Sequence, residues 1–300
     1  MTRGKILVIR GGAIGDFILT LPVLAALRRQ FPQARLELLG YSHIAQLALA
    51  GGLADEVRSI EARPLAGFFA RHGTLDAALQ EYFASFAITI SFLYDPDEIF
   101  QANVARCSKA QFIAGRHRPD ENADVHATEV FLKPLERLAI FDADPVPRLS
   151  LHTIRSTQHA LALHPGSGSE RKNWPETKWA ELSQQLVRSP EMNLLLVGGE
   201  AEEGRLTRLA AALPPSRAQI ADRLPLIELA RRLTGCRAFI GHDSGISHLA
   251  AALGLPTLVL WAETAESVWR PQGNHVKVLR SGASLRSLEA GRVMEEIRTL

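Results

Sequence analysis

Short runs of buried-type residues alternate along the chain with stretches whose apolar positions return every three or four residues. Residues 5–10 (KILVIR) read as a strand covered on both faces, and Phe17, Ile18, Leu21, Leu24 and Leu27 then mark the inward face of a helix. Pro22 falls inside that run, so the helix either starts near it or bends there. The same alternation predicts strands at 35–39, 56–60, 87–92 and 111–115, with a helix over 44–50. Residues 65–83 form an aromatic-rich amphipathic region. Its role is core packing, or alternatively a membrane- or acceptor-facing patch beside Arg63 and Arg71. Residues 142–148 (DADPVPR) shift to proline and acid and read as a linker.

The rhythm restarts after that linker. A strand at 160–163 leads into the loop His164-Pro165-Gly166-Ser167-Gly168-Ser169-Glu170-Arg171-Lys172-Asn173-Trp174-Pro175, and a helix over 176–187 follows. Another strand ends in Gly198-Gly199, with Glu200, Glu202 and Glu203 at the next helix start. A helix over 226–233 then leads to the strand Ala238-Phe239-Ile240-Gly241. Ile246, Leu249, Ala250 and Leu253 recur at helical spacing behind His242-Asp243-Ser244-Gly245, and Gly254 with Pro256 stops that helix before a strand at 257–261. Repeated strand-then-helix units predict an α/β fold with doubly wound parallel sheets. The expected domains are 1–145 and 146–300, with a return of the last helix onto the first left open.

Composition narrows the class. With 300 residues and 46% hydrophobic content, the chain can bury two sizeable cores. A formal net charge of +2 without long runs of one sign argues against a nucleic-acid binder. The two cysteines, Cys107 and Cys236, have no zinc-ligand spacing and suit a reducing compartment. No apolar run approaches the ~18 residues of a membrane span, and the chain enters its first strand at once, so a cytoplasmic protein is expected.

The chemistry gathers at strand ends. At Asp243-Ser244-Gly245 either Asp243 or Ser244 can cap the helix, whose first-turn N–H groups and dipole then suit an anion such as a phosphate; His248 lies one turn in. The 164–175 loop offers Gly168 and other main-chain amides, the Ser167 hydroxyl and Lys172 to negative oxygens, but lacks the P-loop spacing. Asp16, after Gly11-Gly12, is either a helix cap or a general base toward a hydroxyl, and the two roles are compatible. The turn is not GxGxxG, and no acidic residue closes the next strand, so dinucleotide binding is disfavoured. Asp95-Pro96-Asp97-Glu98 reads as a turn into a helix in preference to a metal cluster. Arg116 and Arg118 form a basic loop that could hold a phosphate or carboxylate, or be ordinary surface residues.

Taken together, Ile9-Arg10-Gly11-Gly12-Ala13-Ile14-Gly15-Asp16 with Leu19-Thr20-Leu21-Pro22, His164-Pro165-Gly166 through Lys172-Asn173-Trp174-Pro175, Gly198-Gly199 with its glutamates, and Asp243-Ser244-Gly245 with His248-Leu249-Ala250 resemble glycosyltransferase family 9, the heptosyltransferase-like enzymes. The resemblance implies the GT-B architecture, two Rossmann-like domains facing across a cleft, acceptor side first and nucleotide-sugar side second. It implies Asp16 as general base and Lys172 as the cation on the departing diphosphate. Ser167, Gly168, Asp243, Ser244, Gly245 and His248 would hold the donor, with Glu202 on its ribose, and Gly12, Arg116 and Arg118 would meet the acceptor. No cofactor and no metal are implied. The partners would be an ADP-linked or related sugar donor and a lipopolysaccharide-type glycan or glycolipid, with peripheral inner-membrane association left open. The alternatives are a nucleotide-sugar binder without catalysis and a Rossmann oxidoreductase. Ala262-Glu263-Thr264 departs from the family's usual Gly-Pro-Thr and leaves the donor sugar open.

Overall fold

A computed structural model describes residues 4–151, 160–202, 204–282 and 284–300. The chain divides into two compact units, Met1–Pro145 and Val146–Leu300. In the first, strands β1 (Lys5–Arg10), β2 (Arg35–Gly40), β3 (Glu56–Ser59), β4 (Ile88–Ser91) and β5 (Gln111–Ala114) alternate with helices α1 (Ile14–Ile18), α2 (Leu21–Gln30), α3 (Ser42–Ala50), α4 (Ala77–Ala84), α5 (Ile99–Ala105) and α6 (Ala127–Leu132). The second carries strands β6 (Ala160–Leu163), β7 (Asn193–Gly198), β8 (Ala218–Asp222), β9 (Ala238–His242), β10 (Thr257–Trp261) and β11 (Val276–Arg280). Its helices are α7 (Glu176–Leu186), α8 (Arg205–Ala211), α9 (Leu226–Leu233), α10 (Gly245–Ala252), α11 (Glu266–Trp269) and α12 (Ala290–Ile297).

Both sheets are wholly parallel, ordered β3-β2-β1-β4-β5 and β11-β10-β9-β6-β7-β8. Each order reverses once, between β1 and β4 in the first sheet and between β6 and β9 in the second. At such a reversal the connections leave toward opposite faces, and a crevice opens at the carboxyl ends of the two strands. The central strands are buried on both faces, which is why they read as unbroken apolar runs.

The helix predicted over residues 17–27 is two helices. α1 ends at Ile18 and α2 starts at Leu21 with Pro22 in its first turn, where a missing N–H costs nothing. The 65–83 region is also broken, into a 3-10 turn at Arg63–Phe69 and α4. Phe68, Tyr82 and Phe83 are buried, so packing is its role, and only Phe69 among its aromatics is exposed. Asp95 accepts from the amides of Phe100 (3.1 Å) and Gln101 (3.0 Å) at the start of α5, which makes the acidic stretch a turn into a helix. α12 buries Ala290 and Val293 in the second unit's own core with Trp179 and Leu182 of α7, because its apolar face matches the face α7 leaves uncovered. Lys178 of α7 also pairs with Glu289 at its start. No helix among the described residues is long and apolar enough to cross a membrane.

Candidate functional site

The residues singled out in the second unit converge on the β6/β9 reversal. β6 runs into the 164–175 loop, and β9 runs into the Asp243-Ser244-Gly245 turn that opens α10. Ser244, not Asp243, is the cap: its backbone is extended and its Oγ accepts from the Ser247 amide at 3.4 Å. The amides of Gly245 and Ile246, in the first turn, have no helical carbonyl to donate to and remain for a ligand. Asp243 is nearly buried and is turned to the neighbouring loop. It accepts from Lys172 Nζ at 2.6 Å and from the Thr264 hydroxyl.

This pair sets the local charge. The Lys172 ammonium stands between Asp243 and the open side, still 28% exposed, so a diphosphate would complete an anion–cation–anion sequence. The Ala262-Glu263-Thr264 departure therefore keeps a working member, since Thr264 orders Asp243, while Glu263 is exposed. Ser167 donates within the loop, with Ser169 O at 2.9 Å and Asn173 Oδ1 at 2.8 Å, and the exposed Gly168 forms the tip. Glu202 is buried and folds back to accept from the Gly199 amide at 2.8 Å. Its carboxylate lies against Gly166, where a Cβ would sit 1.7 Å from Oε1, so only glycine lets the loop pass there. Glu203 lies outside the described residues.

Two histidines floor the site. His164 and His242 are both buried, and burial pushes their pKa values down to about 3 and about 4. His164 Nδ1 is 3.4 Å from Ser244 Oγ, while the His242 ring lies between Gly166 O (3.1 Å) and the Trp174 amide (2.8 Å). His248, one turn into α10, is buried.

In the first unit the candidates surround the β1/β4 reversal. Asp16 is the third residue of α1, and its Oδ2 accepts from the Ala13 amide at 3.1 Å, so the carboxylate completes the helix start. Gly12 has φ +100, and a Cβ there would meet Asp16 Oδ2 at 2.9 Å; this glycine clears the space the carboxylate occupies. Arg10 lies beneath. Its guanidinium is 3.6 Å from Asp16 Oδ1, donates to the carbonyls of Asp16 (3.3 Å) and His117 (2.9 Å), and rests on the Phe131 ring at 4.4 Å. Burial lowers its pKa to about 10, so it stays cationic at neutral pH. By gripping His117 O, Arg10 ties the Arg116–Arg118 loop to the Asp16 turn. Arg116 and Arg118 are exposed, and Arg118 pairs with Glu121 at 2.6 Å.

The comparisons follow this geometry. The family model for glycosyltransferase family 9 (heptosyltransferase) matches residues 130–297, more than half of the chain. The chain belongs to glycosyltransferase family 9. Among curated family-9-type relatives, lipopolysaccharide heptosyltransferase 1 of Pseudomonas aeruginosa is 37% identical over 130 residues, which is 43% of this chain and 33% of that protein. Its Escherichia coli K12 counterpart is 30% identical over 48% of this chain and 44% of its own length. The chain thus matches under half the length of these relatives. Among solved structures, Escherichia coli ADP-heptose lipopolysaccharide heptosyltransferase II superposes with a TM-score of 0.81 over 98% of both chains at 19% identity. An Escherichia coli heptosyltransferase solved with ADP gives 0.77 over 98% of this chain and 99% of its own, also at 19%. These likenesses show the fold, two Rossmann-like parallel α/β units of the GT-B class, and with the family match they replace the oxidoreductase alternative.

Sequence reasoning missed His242, Thr264 and Arg205. His242 read as the first residue of the polar turn and was given no role, whereas it closes β9. Arg205, on α8, donates to Pro165 O at 2.9 Å and pairs with Glu170 at 3.0 Å across 40 and 35 residues, a separation that periodicity does not reach.

Proposed function

We propose that the protein is an inverting, metal-independent glycosyltransferase that moves a sugar, a heptose by analogy, from a nucleotide-diphosphate sugar to a lipopolysaccharide-type glycan or glycolipid. The observation that carries the reading is the union of Lys172, Asp243 and the α10 start at the β6/β9 reversal, one cation and free amides where a diphosphate would lie. The family relatives solved with ADP and with ADP-2-deoxy-2-fluoro heptose favour an ADP-linked donor.

In the proposed reaction Asp16 takes the proton of the acceptor hydroxyl as its oxygen bonds to the anomeric carbon. The bond from that carbon to the diphosphate oxygen breaks, and the released pair stays on the leaving phosphate. Lys172 and the α10 amides meet that charge as it grows, which is where fixed donors contribute most. Ser167, Gly168, Ser244, Gly245 and His248 line the donor phosphates, Glu202 binds the ribose, and Gly12, Arg116 and Arg118 face the acceptor. Such a protein would work at the cytoplasmic face of the inner membrane. Calorimetry with ADP, UDP and GDP, followed by transfer assays with the matching heptose donor, tests the reading. Binding of none of the three refutes it, and binding without transfer identifies a nucleotide-sugar binder instead.

A further inference from the structure

The loop that carries Lys172 is held at both feet by one side chain. His242, at the end of β9, is fully buried. Its Nε2 accepts from the Trp174 amide at 2.8 Å, and its Nδ1 lies 3.1 Å from Gly166 O. A backbone amide can only donate and a carbonyl can only accept, so the partners dictate the imidazole's state: neutral, with the proton on Nδ1. Gly166 and Trp174 bracket residues 167–173, the stretch that bears Ser167, Gly168 and Lys172. The next residue, Asp243, takes Lys172 Nζ at 2.6 Å. His242, the last residue of β9, thus fastens the base of the loop while Asp243, the first residue beyond the strand, fastens its cation. The ring is itself fixed: Trp179 stands edge-on at 5.4 Å, and the Trp174 indole donates to Leu288 O at 2.9 Å.

The geometry points to His242 as a positioning residue that presets the 167–173 loop, and with it Lys172, for the diphosphate of a nucleoside diphosphate. This rests on the function proposed above. The imidazole, fully buried, acts through the loop by sparing it the ordering that binding would otherwise require.

The test compares ADP affinity by calorimetry, and amide exchange at Trp174, in the wild type and in His242→Leu, His242→Asn and His242→Gln. Leucine fills the space but leaves the Trp174 amide and Gly166 carbonyl without partners. Asparagine restores a donor near Nδ1, and glutamine an acceptor near Nε2. Expected is a ~10- to 100-fold weaker ADP Kd for His242→Leu with faster exchange at Trp174, and partial recovery in both amide variants. In transfer assays the donor KM rises while the acceptor KM stays within ~3-fold, a split that general loosening of the fold would not give. Leu213→Ala, which weakens the same core just beyond α8 and leaves Trp179 and both hydrogen bonds in place, keeps wild-type ADP affinity. Equal ADP affinity in the wild type and His242→Leu overturns the positioning role alone. A wild type that binds none of ADP, UDP and GDP overturns the functional reading beneath it.

Discussion

Two buried histidines of the second unit, His164 and His242, make its stability depend on acidity in a calculable way. His164 and His242 ordinarily titrate near 6.5, and in the fold burial holds them to about 3 and about 4. His164 faces Ser244 and the Phe239 ring, and a second push downward comes from His242. His242 faces Gly166 O, the Trp174 amide and the Trp179 ring, with Arg205 opposing its protonation and Asp243 favouring it. Between pH 6.5 and 4 the unfolded chain therefore binds protons that the folded one refuses. Stability is fully present above about 6.5 and falls as the pH drops toward the folded values. Going from pH 7 to pH 5 costs about 2 kcal/mol per imidazole and roughly 4 kcal/mol for the pair, a large share of a typical domain's stability. All four tryptophans, Trp174, Trp179, Trp261 and Trp269, lie in the second unit, so their fluorescence follows its unfolding in urea without interference from the first. His164→Asn should remove about 2 kcal/mol of the loss between pH 7 and 5 whatever it does to absolute stability. A free energy of unfolding that is flat from pH 7 to 5, or a slope unchanged by that substitution, would refute the assignment of buried neutral imidazoles.

Further outcomes follow from the same geometry. Asp16→Ala should lower kcat by at least ~100-fold while leaving ADP affinity within a few-fold, as transfer assays and calorimetry would show; undiminished turnover removes Asp16 from the chemistry. Lys172→Ala should weaken ADP binding by ~10- to 100-fold, because it removes a charged donor and also leaves Asp243 unpaired beside the phosphates. Arg10→Met should destabilise the first unit by about 1–3 kcal/mol, since the His117 carbonyl loses its donor and the Asp16 carbonyl keeps only the Thr20 hydroxyl; amide exchange in α1 and the 116–118 loop measures it. Gly166→Ala should displace Glu202 and reduce soluble yield or nucleotide affinity, whereas Gly168→Ala, with open space around its Cβ but φ +71, should cost only about 1 kcal/mol in denaturant titrations.

Much of this was legible in the chain because parallel strands buried on both faces leave unbroken apolar runs, and because caps and glycines mark where those runs end. The Ser244 cap and the placement of Lys172 and Asp16 at strand ends could be read that way. Strands β8 and β11 could not: β8 (AQIAD) and β11 (VKVLR) are edge strands, partly exposed, and mix charge into their pattern. Which strand ends share a crevice is a matter of sheet order, and order is not written locally. Lys172 and Asp243 are 71 residues apart and meet only because β6 and β9 are neighbours. For the same reason His242 read as only the first residue of a polar turn, and its two partners at Gly166 and Trp174 were invisible until the loop was folded over it.

The division of labour within each sheet has a practical side. All the candidate chemistry leaves from carboxyl ends, while the amino ends of β1 and β2 carry ion pairs, Lys5 and Arg35 on the buried Glu37. Surface attachment, fluorophore labelling or added charge at those amino-end positions should therefore be tolerated by the reaction. Immobilising the protein through the first unit's amino-end rim would leave that unit's own reversal crevice unmodified, a simple way to screen acceptors on a chip.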